Sequence, residues 1–308
     1  MSSTLQCDLD NACNSVRSEI EVGQVANYIP ALAAIDGNKF GAAIVTIDGE
    51  VARYGDALEP FSIQSISKVH SLALALNHVG DELWNRINYE PSGNAFNSIV
   101  QLEVEKGIPR NPLINAGAIV LCDLLLRGRI PESCISALVD NAQLLAQDTS
   151  VAIDSSVAQS ELDCADRNSS LASFMKSYQN IEHQVEDVLH VYCHQCAIAM
   201  NCVQVARSFL YLANDGVEPR SNSPIVSNLR ARHINSIMMM CGHYDASGEF
   251  AFRVGLPGKS GVGGGIVTIV PEVGVVAVWS PRLNAKGNSH TGMEALEAIM
   301  HSTGWNIL

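Results

Sequence analysis

The run Phe40-Gly-Ala-Ala-Ile-Val-Thr-Ile47, followed by Asp48-Gly49 and then Glu50-Val-Ala-Arg-Tyr54, reads as a β-hairpin. Asp-Gly suits a two-residue turn that needs positive φ, and β-branched residues dominate the strand before it. Upstream, Leu5, Leu9, Val16 and Ile20 recur at helical spacing within Leu5 to Val22, and Gly23 ends the pattern. Val25 to Ile35 is a short apolar stretch that enters the hairpin through the turn Asp36-Gly37-Asn38. Downstream, Val69, Leu72, Leu76 and Val79 repeat every three to four residues, which predicts a helix from Ser65. Helical patterns continue through residues 95–245 with few strand candidates. After Tyr244 the period returns to that of strands, over Glu249 to Leu256, Gly265 to Pro271 and Val273 to Ser280. Gly292 to Met300 closes the pattern as an amphipathic helix.

Strands at both ends of the chain must find each other, because an isolated hairpin is marginal in water. The expectation is an α+β fold: an αβα sandwich on one mostly antiparallel sheet of about five strands, flanked by the terminal helices. Residues 1–94 and 246–308 would form that sheet domain, with 95–245 inserted as an all-helical lobe and the active site in the cleft between them.

Charge narrows the function. The 308 residues carry 19 Lys and Arg against 32 Asp and Glu, a formal net charge of −13. A surface that acidic repels phosphate backbones, so no nucleic-acid partner is expected. No uncharged apolar run approaches the roughly 18 residues of a membrane span, so no membrane partner is expected either. Met1 to Asp10 lacks the basic and apolar regions of a signal peptide. The nine cysteines are odd in number and irregular in spacing, as reduced thiols would be. These features predict a cytoplasmic protein.

Phe61-Ser-Ile-Gln-Ser65-Ile-Ser-Lys68-Val69 holds Ser-x-x-Lys where a helix begins. Residues three apart share a helix face, so the Lys68 amine can reach the Ser65 hydroxyl. A serine hydroxyl needs a base before it attacks, and a neutral amine serves. Burial and the positive end of a helix dipole both lower a lysine from its usual value near 10.4. The bland alternative is a serine cap. A second element weighs against that reading: Lys259-Ser260-Gly261, followed by Val262-Gly-Gly-Gly265 at a strand start. In Ser-x-x-Lys acyl-transfer enzymes a Lys-Ser/Thr-Gly strand lines the opposite wall. The backbone N–H of Val262 would then complete an oxyanion hole with that of Ser65. The chemistry so far is that of a serine acyl-transferase or hydrolase.

Longer strings carry more. Val25-Ala-Asn-Tyr28-Ile-Pro-Ala-Leu, Phe61 to Lys68, Gly107-Ile-Pro-Arg-Asn-Pro-Leu-Ile-Asn115-Ala-Gly-Ala118, Ser160-Glu161 with Arg167-Asn168, Tyr192 with Cys196, and Gly255-Leu-Pro-Gly-Lys-Ser-Gly-Val-Gly-Gly-Gly265 follow one another in order. From about Gly23 to Asn288 the chain resembles the bacterial-type glutaminases, relatives of the mammalian kidney and liver enzymes. The resemblance implies a β-lactamase-like fold with a helical insertion, and hydrolysis of L-glutamine to L-glutamate and ammonia. It implies Ser65 as nucleophile and Lys68 as its activating partner, with catalytic parts for Tyr192 and Tyr244. Asn115, Glu161, Asn168, Tyr192, Tyr244 and Val262 match substrate-binding positions, and Tyr28 is a further pocket residue. Glutamine is a zwitterion: its ammonium suits the Glu161 carboxylate, and its carboxylate suits the amides of Asn115 and Asn168. The resemblance also implies a homo-oligomer, dimer or tetramer. No metal or cofactor is required by this chemistry.

Three residues depart from the family's pattern: His70, His243 and Gly258. Both histidines are expected near the site, packed and neutral. His190-x-x-Cys193-His194-x-Cys196 imitates a metal site but lacks a second ligand pair, and reads as packing beside Tyr192. Tyr178-Gln-Asn180 reads as a polar helix end at the surface. The competing functions are another Ser-x-x-Lys hydrolase, of the β-lactamase or peptidase kind, and a catalytically silent glutamine sensor. Retention of both Ser65 and Lys68 argues against the sensor.

Overall fold

The computed structural model describes residues 4–92, 99–305 and 307. Five strands form the main sheet: β1 (Gly41–Thr46), β2 (Val51–Gly55), β3 (Gly258–Ser260), β4 (Gly265–Val270) and β5 (Gly274–Trp279). Their spatial order is β2-β1-β5-β4-β3, antiparallel throughout. The hairpin thus pairs with the late strands through Ala43 opposite Ala277, as the expected α+β fold requires. Its turn holds Gly49 at a φ of 92°.

Alternation explains how both faces are covered. Ala42 and Ile44 face α1 (Thr4–Ser15) and the C-terminal helix, while Ala43 and Val45 join the larger cluster beneath the central helices. A strand buried on both faces reads as a continuous apolar run, and β1, β4 and β5 all do. Between β2 and β3 lie α2 (Ser67–Val79), α3 (Asn115–Leu125), α4 (Pro131–Ala146), α5 (Ser155–Asp163), α6 (Asp166–Ser177), α7 (Val185–Cys196), α8 (Cys202–Ser208), α9 (Asn228–Cys241) and α10 (Ser247–Arg253). Helix α11 (His290–Thr303) ends the fold against α1.

Three expectations are corrected. Glu249 to Leu256 is not a strand but mostly α10. Phe250 and Val254, four apart, are buried while Phe252 is 92% exposed, which is a helical and not an alternating pattern. Gly255, at a φ of 70°, stops that helix, and Arg253 ties it to Glu294 and Glu297 of α11. The fifth strand comes instead from Gly258–Ser260, inside the Lys-Ser-Gly element. Second, α2 starts at Ser67, because Ser65 sits on a 3-10 turn, Gln64–Ile66. Third, Asn180 is buried rather than superficial. Its amide donates to the main-chain carbonyls of Arg86 and Gly107 at 3.0 and 2.9 Å. Tyr178 does lie at the surface, 45% exposed.

Candidate active site

The approach to Ser65 is pinned before the turn begins. Phe61 and Ser62 pair with Met200 and Ala199, and Ile63 N–H donates to Ile198 O at 2.9 Å. The Ser62 hydroxyl donates to Cys196 O at 2.8 Å, joining this segment to the end of α7. Gln64 then takes a φ of 49°, a left-handed conformation that costs a non-glycine residue about 1 kcal/mol or more. This bend sets Ser65 at the floor of a cavity of about 240 Å³.

From the sheet side, β3 closes against the turn main chain to main chain. A Cβ on Gly261 would lie 2.6 Å from Ile63 O and 3.4 Å from Ser65 N, and one on Gly263 would lie 2.4 Å from Ser62 O. Only residues without a side chain permit that approach. Val262, between them, lines the cavity. From the helical side come Asn115 at the start of α3, Glu161 on α5, Asn168 on α6 and Tyr192 on α7, all lining the same space. Tyr28 stands at the mouth, half exposed.

Of the residues predicted from sequence, Ser65, Asn115, Glu161, Asn168, Tyr192, Val262 and Tyr28 meet in the cavity. Lys68, Tyr244, Lys259, Ser260 and Gly261 stand behind its wall. Lys68 is fully buried, and its Nζ donates to Asn115 Oδ1 at 2.7 Å and Leu113 O at 3.3 Å. Asn115 Nδ2 in turn donates to Asn168 Oδ1 at 3.0 Å. The expected Lys68–Ser65 hydrogen bond is not among those of the described residues. The Ser65 side chain is instead hydrogen-bonded to Tyr244. Tyr244, at a φ of 57°, also directs its hydroxyl to Ser260 O at 3.5 Å. Lys259 donates to Gly242 O at 2.9 Å and to Ser260 O, and its Nζ sits 4.7 Å from the Tyr244 ring centroid.

Burial dominates the electrostatics. It pulls the Lys68 amine down to about 8, against the opposing influence of Cys196 and Glu161. It pushes the Glu161 carboxyl up to about 7, opposed by a hydrogen bond from Gln64 and the charge of Lys68. Tyr244 rises to about 12 for the same reason, opposed by its bonds to Ser65 and Ser260, and burial raises Tyr192 as well. Burial lowers Lys259 well below the lysine range.

Both histidines are packed. His70 holds the Ser208 hydroxyl at 3.1 Å, and burial lowers it to about 4. His243 stacks on Phe250 at 3.6 Å between centroids, and burial holds it well below the usual range. Neither lines the cavity. Cys193 and Cys196 are buried free thiols, and the described residues gather no metal-binding group of His, Cys, Asp or Glu. Cys196 does more than pack: it lines the cavity and hydrogen-bonds to Tyr192.

Sequence reading gave no role to Gln64, Ile29, Cys164 or Arg167, which also line the cavity. Gln64 was within reach, since it lies inside the Phe61 to Lys68 string. Its amide bonds Glu161 and donates to Ser62 Oγ at 3.0 Å.

A family model described as Glutaminase matches residues 23–308. The chain is 54% identical to a glutaminase of Rhizobium rhizogenes over 303 residues, 98% of each chain. Its fold is similar to a solved probable glutaminase, ybaS, with a TM-score of 0.94 and 36% identity, covering 100% of this chain and 99% of that one. It is also similar, with a TM-score of 0.89 and 31% identity over 98% and 99% of the two chains, to the Bacillus subtilis glutaminase YbgJ. That structure is a covalent complex with 5-oxo-L-norleucine, formed by reaction with 6-diazo-5-oxo-L-norleucine. A whole-chain likeness at this identity, on top of the α+β fold and its polar pocket, makes the protein an amidohydrolase. The chain belongs to the glutaminase family, and its substrate is glutamine.

Proposed function

We propose that glutamine is hydrolysed through an acyl-enzyme on Ser65. The observation that carries this reading is the convergence of Ser65, Asn115, Glu161, Asn168, Tyr192 and Val262 on one cavity, with an amine lowered to about 8 behind it. Ser65 Oγ attacks the side-chain amide carbon while its proton passes to the neutral Lys68 amine. The oxyanion rests on the N–H groups of Ser65 and Val262. The C–N bond then breaks, and ammonia leaves with a proton returned through the hydroxyl network. Water attacks the ester, and glutamate departs. Tyr244 is favoured over Tyr192 as the proton carrier, because it bonds Ser65 whereas Tyr192 bonds Cys196. A Lys68–Ser65 hydrogen bond would form on substrate binding, since catalytic hydrogen bonds commonly tighten only in that complex.

Recognition falls to the helical wall: Glu161 for the ammonium, Asn115 and Asn168 for the carboxylate, Tyr28 at the mouth. This division supports a sheet domain of residues 1–94 and 246–308 and a helical lobe of 95–245 with the site between. Among the described residues no helix is long and apolar enough to cross a membrane. We place the enzyme in the cytoplasm as a homo-oligomer, on the nine free thiols and the family likeness respectively.

The test is glutamine-dependent ammonia release together with the mass of the protein after 6-diazo-5-oxo-L-norleucine. Wild type gains a single adduct on Ser65. Ser65→Ala gains none and loses several powers of ten in kcat, as removal of a nucleophile does. A folded Ser65→Ala variant with near-normal turnover overturns the assignment.

A further inference from the structure

His243 and Gly258, two residues that depart from the family's pattern, meet where β3 begins. A Cβ on Gly258 would lie 2.8 Å from His243 Nε2 and 2.7 Å from Phe250 Cε1, closer than a side-chain carbon approaches another heavy atom. The backbone at Gly258 does not take a positive φ, so glycine is needed there for space and not for conformation. The imidazole takes up that space. It is fully buried, lies on Phe250 of α10 with the ring planes 13° apart, and has both nitrogens enclosed. Burial, and then the charge of Lys259, keep it neutral, so it packs as an uncharged plate between α10 and β3.

The main chain around this ring is tied down. His243 N–H donates to Ser247 Oγ at 3.1 Å, and the same hydroxyl donates to Tyr244 O at 3.3 Å. His243 O accepts from Ala246 N–H at 2.9 Å and from Asn288 Nδ2 at 3.4 Å. One residue earlier, Gly242 O accepts from Lys259 Nζ at 2.9 Å and from Ser260 N–H at 3.2 Å, which docks the segment on β3. Tyr244 follows at a φ of 57°. A non-glycine residue keeps that left-handed conformation only where its surroundings over-determine it. From this bend the Tyr244 side chain reaches Ser65. A plate with no room to shift, one residue before the bend, supplies the constraint.

We propose that His243 and Gly258 interlock to position Tyr244 against Ser65, so that a change in one is offset by a matching change in the other. His243 then acts through Tyr244 and touches no substrate, on the reading that Tyr244 holds the Ser65 hydroxyl.

Steady-state kinetics with glutamine on the full chain, with Tm for each variant, test it. Gly258→Ala drives a methyl into the imidazole and Phe250. Its kcat falls about a hundredfold, the cost of a misplacement near 1 Å, with KM little changed. Methionine is unbranched and yields to its neighbours, so adding His243→Met to Gly258→Ala raises kcat about tenfold or more. A further pair separates positioning from packing. In a Tyr244→Phe background, which lacks the hydroxyl, Gly258→Ala still lowers Tm but costs less than about twofold more in kcat. Should Gly258→Ala fail to fold, the Gly258→Ala/His243→Met enzyme decides. A folded protein within about tenfold of wild-type kcat supports the interlock, and any other result overturns it. Unchanged kcat in folded Gly258→Ala, a double variant no better than Gly258→Ala, or equal losses with and without the Tyr244 hydroxyl also overturn the proposal. Near-normal kcat in Tyr244→Phe alone overturns the reading of Tyr244 itself, and the positioning role with it.

Discussion

On the sheet side of the cleft, Gly261 and Gly263 bring main chain against main chain within reach of Ser65. On the helical side, Asn115, Glu161, Asn168 and Tyr192 reach in as side chains from four separate helices. The first wall supplies groups that no substitution can delete without moving the backbone. The second supplies groups that can be exchanged one at a time. A main-chain wall suits a part of the reaction common to every acyl transfer, the stabilisation of an oxyanion. A side-chain wall suits the part that distinguishes one amide from another. If the division holds, changes on the sheet side lower kcat and changes on the helical side alter the choice and affinity of substrate.

The sharpest way to break this comparison is Lys68→Arg. The charge remains but the base is gone, and kcat should fall by about two to four powers of ten. The wild-type pH profile sharpens the same point. Burial lowers Lys68, so its neutral, proton-accepting form gains population as pH rises through about 8. Glu161 must be ionised to hold the ammonium, and it loses its proton near 7 in the empty site. Thus kcat/KM of the wild type should climb from pH 6 to 9 and level off. A profile falling over that range would remove Lys68 from the base position.

Next comes Gly261→Ala. The new methyl would overlap Ile63 O at 2.6 Å, and displacement of one oxyanion donor should cost about 10²–10³ in kcat with KM little changed. A loss confined to KM would mean that this wall binds substrate instead. Smaller and of the opposite character, Glu161→Gln should raise KM for glutamine and leave more of kcat intact. Side-by-side kinetics with asparagine gauge the same clamp. One methylene fewer misplaces the amide carbon by about 1 Å, which is worth about a hundredfold in kcat/KM. Equal use of both amides would show that the helical wall does not measure length. The smallest effect expected is none: chelators and thiol reductants should leave ammonia release unchanged, since Cys193 and Cys196 are buried thiols. Zinc lost together with activity would reverse that view.

Periodicity revealed the hairpin, the late strands β4 and β5 and the terminal helices, because their side chains alternate or repeat against a core. It misjudged Glu249 to Leu256, where apolar residues alternate in sequence but Phe250 and Val254 enter the core and Phe252 is left exposed. A main sheet of about five strands was expected and the main sheet has five, yet one of them is Gly258–Ser260, too short to show a period. At the site, residue types and strings pointed to the cavity residues. They could not show that Gln64 and Tyr244 adopt left-handed backbone, nor that Tyr244 rather than Lys68 holds the Ser65 hydroxyl. Those facts depend on long-range packing that places a strained turn and a distant 3-10 segment side by side. Asn180 was misread for the same reason, because its partners Arg86 and Gly107 lie far away in sequence.

The two hydrogen bonds made by Lys68 have a stereochemical consequence. A neutral primary amine carries two N–H bonds and one lone pair in a roughly tetrahedral arrangement, and Lys68 has two acceptors, Leu113 O and Asn115 Oδ1. Once deprotonated, the nitrogen can direct both hydrogens to those acceptors, and the lone pair is left with the single remaining direction. An ammonium in the same place has three N–H groups, and among the described residues it makes hydrogen bonds to these two acceptors. The cradle therefore matches the valence of the free amine, so the geometry and the burial select the same protonation state.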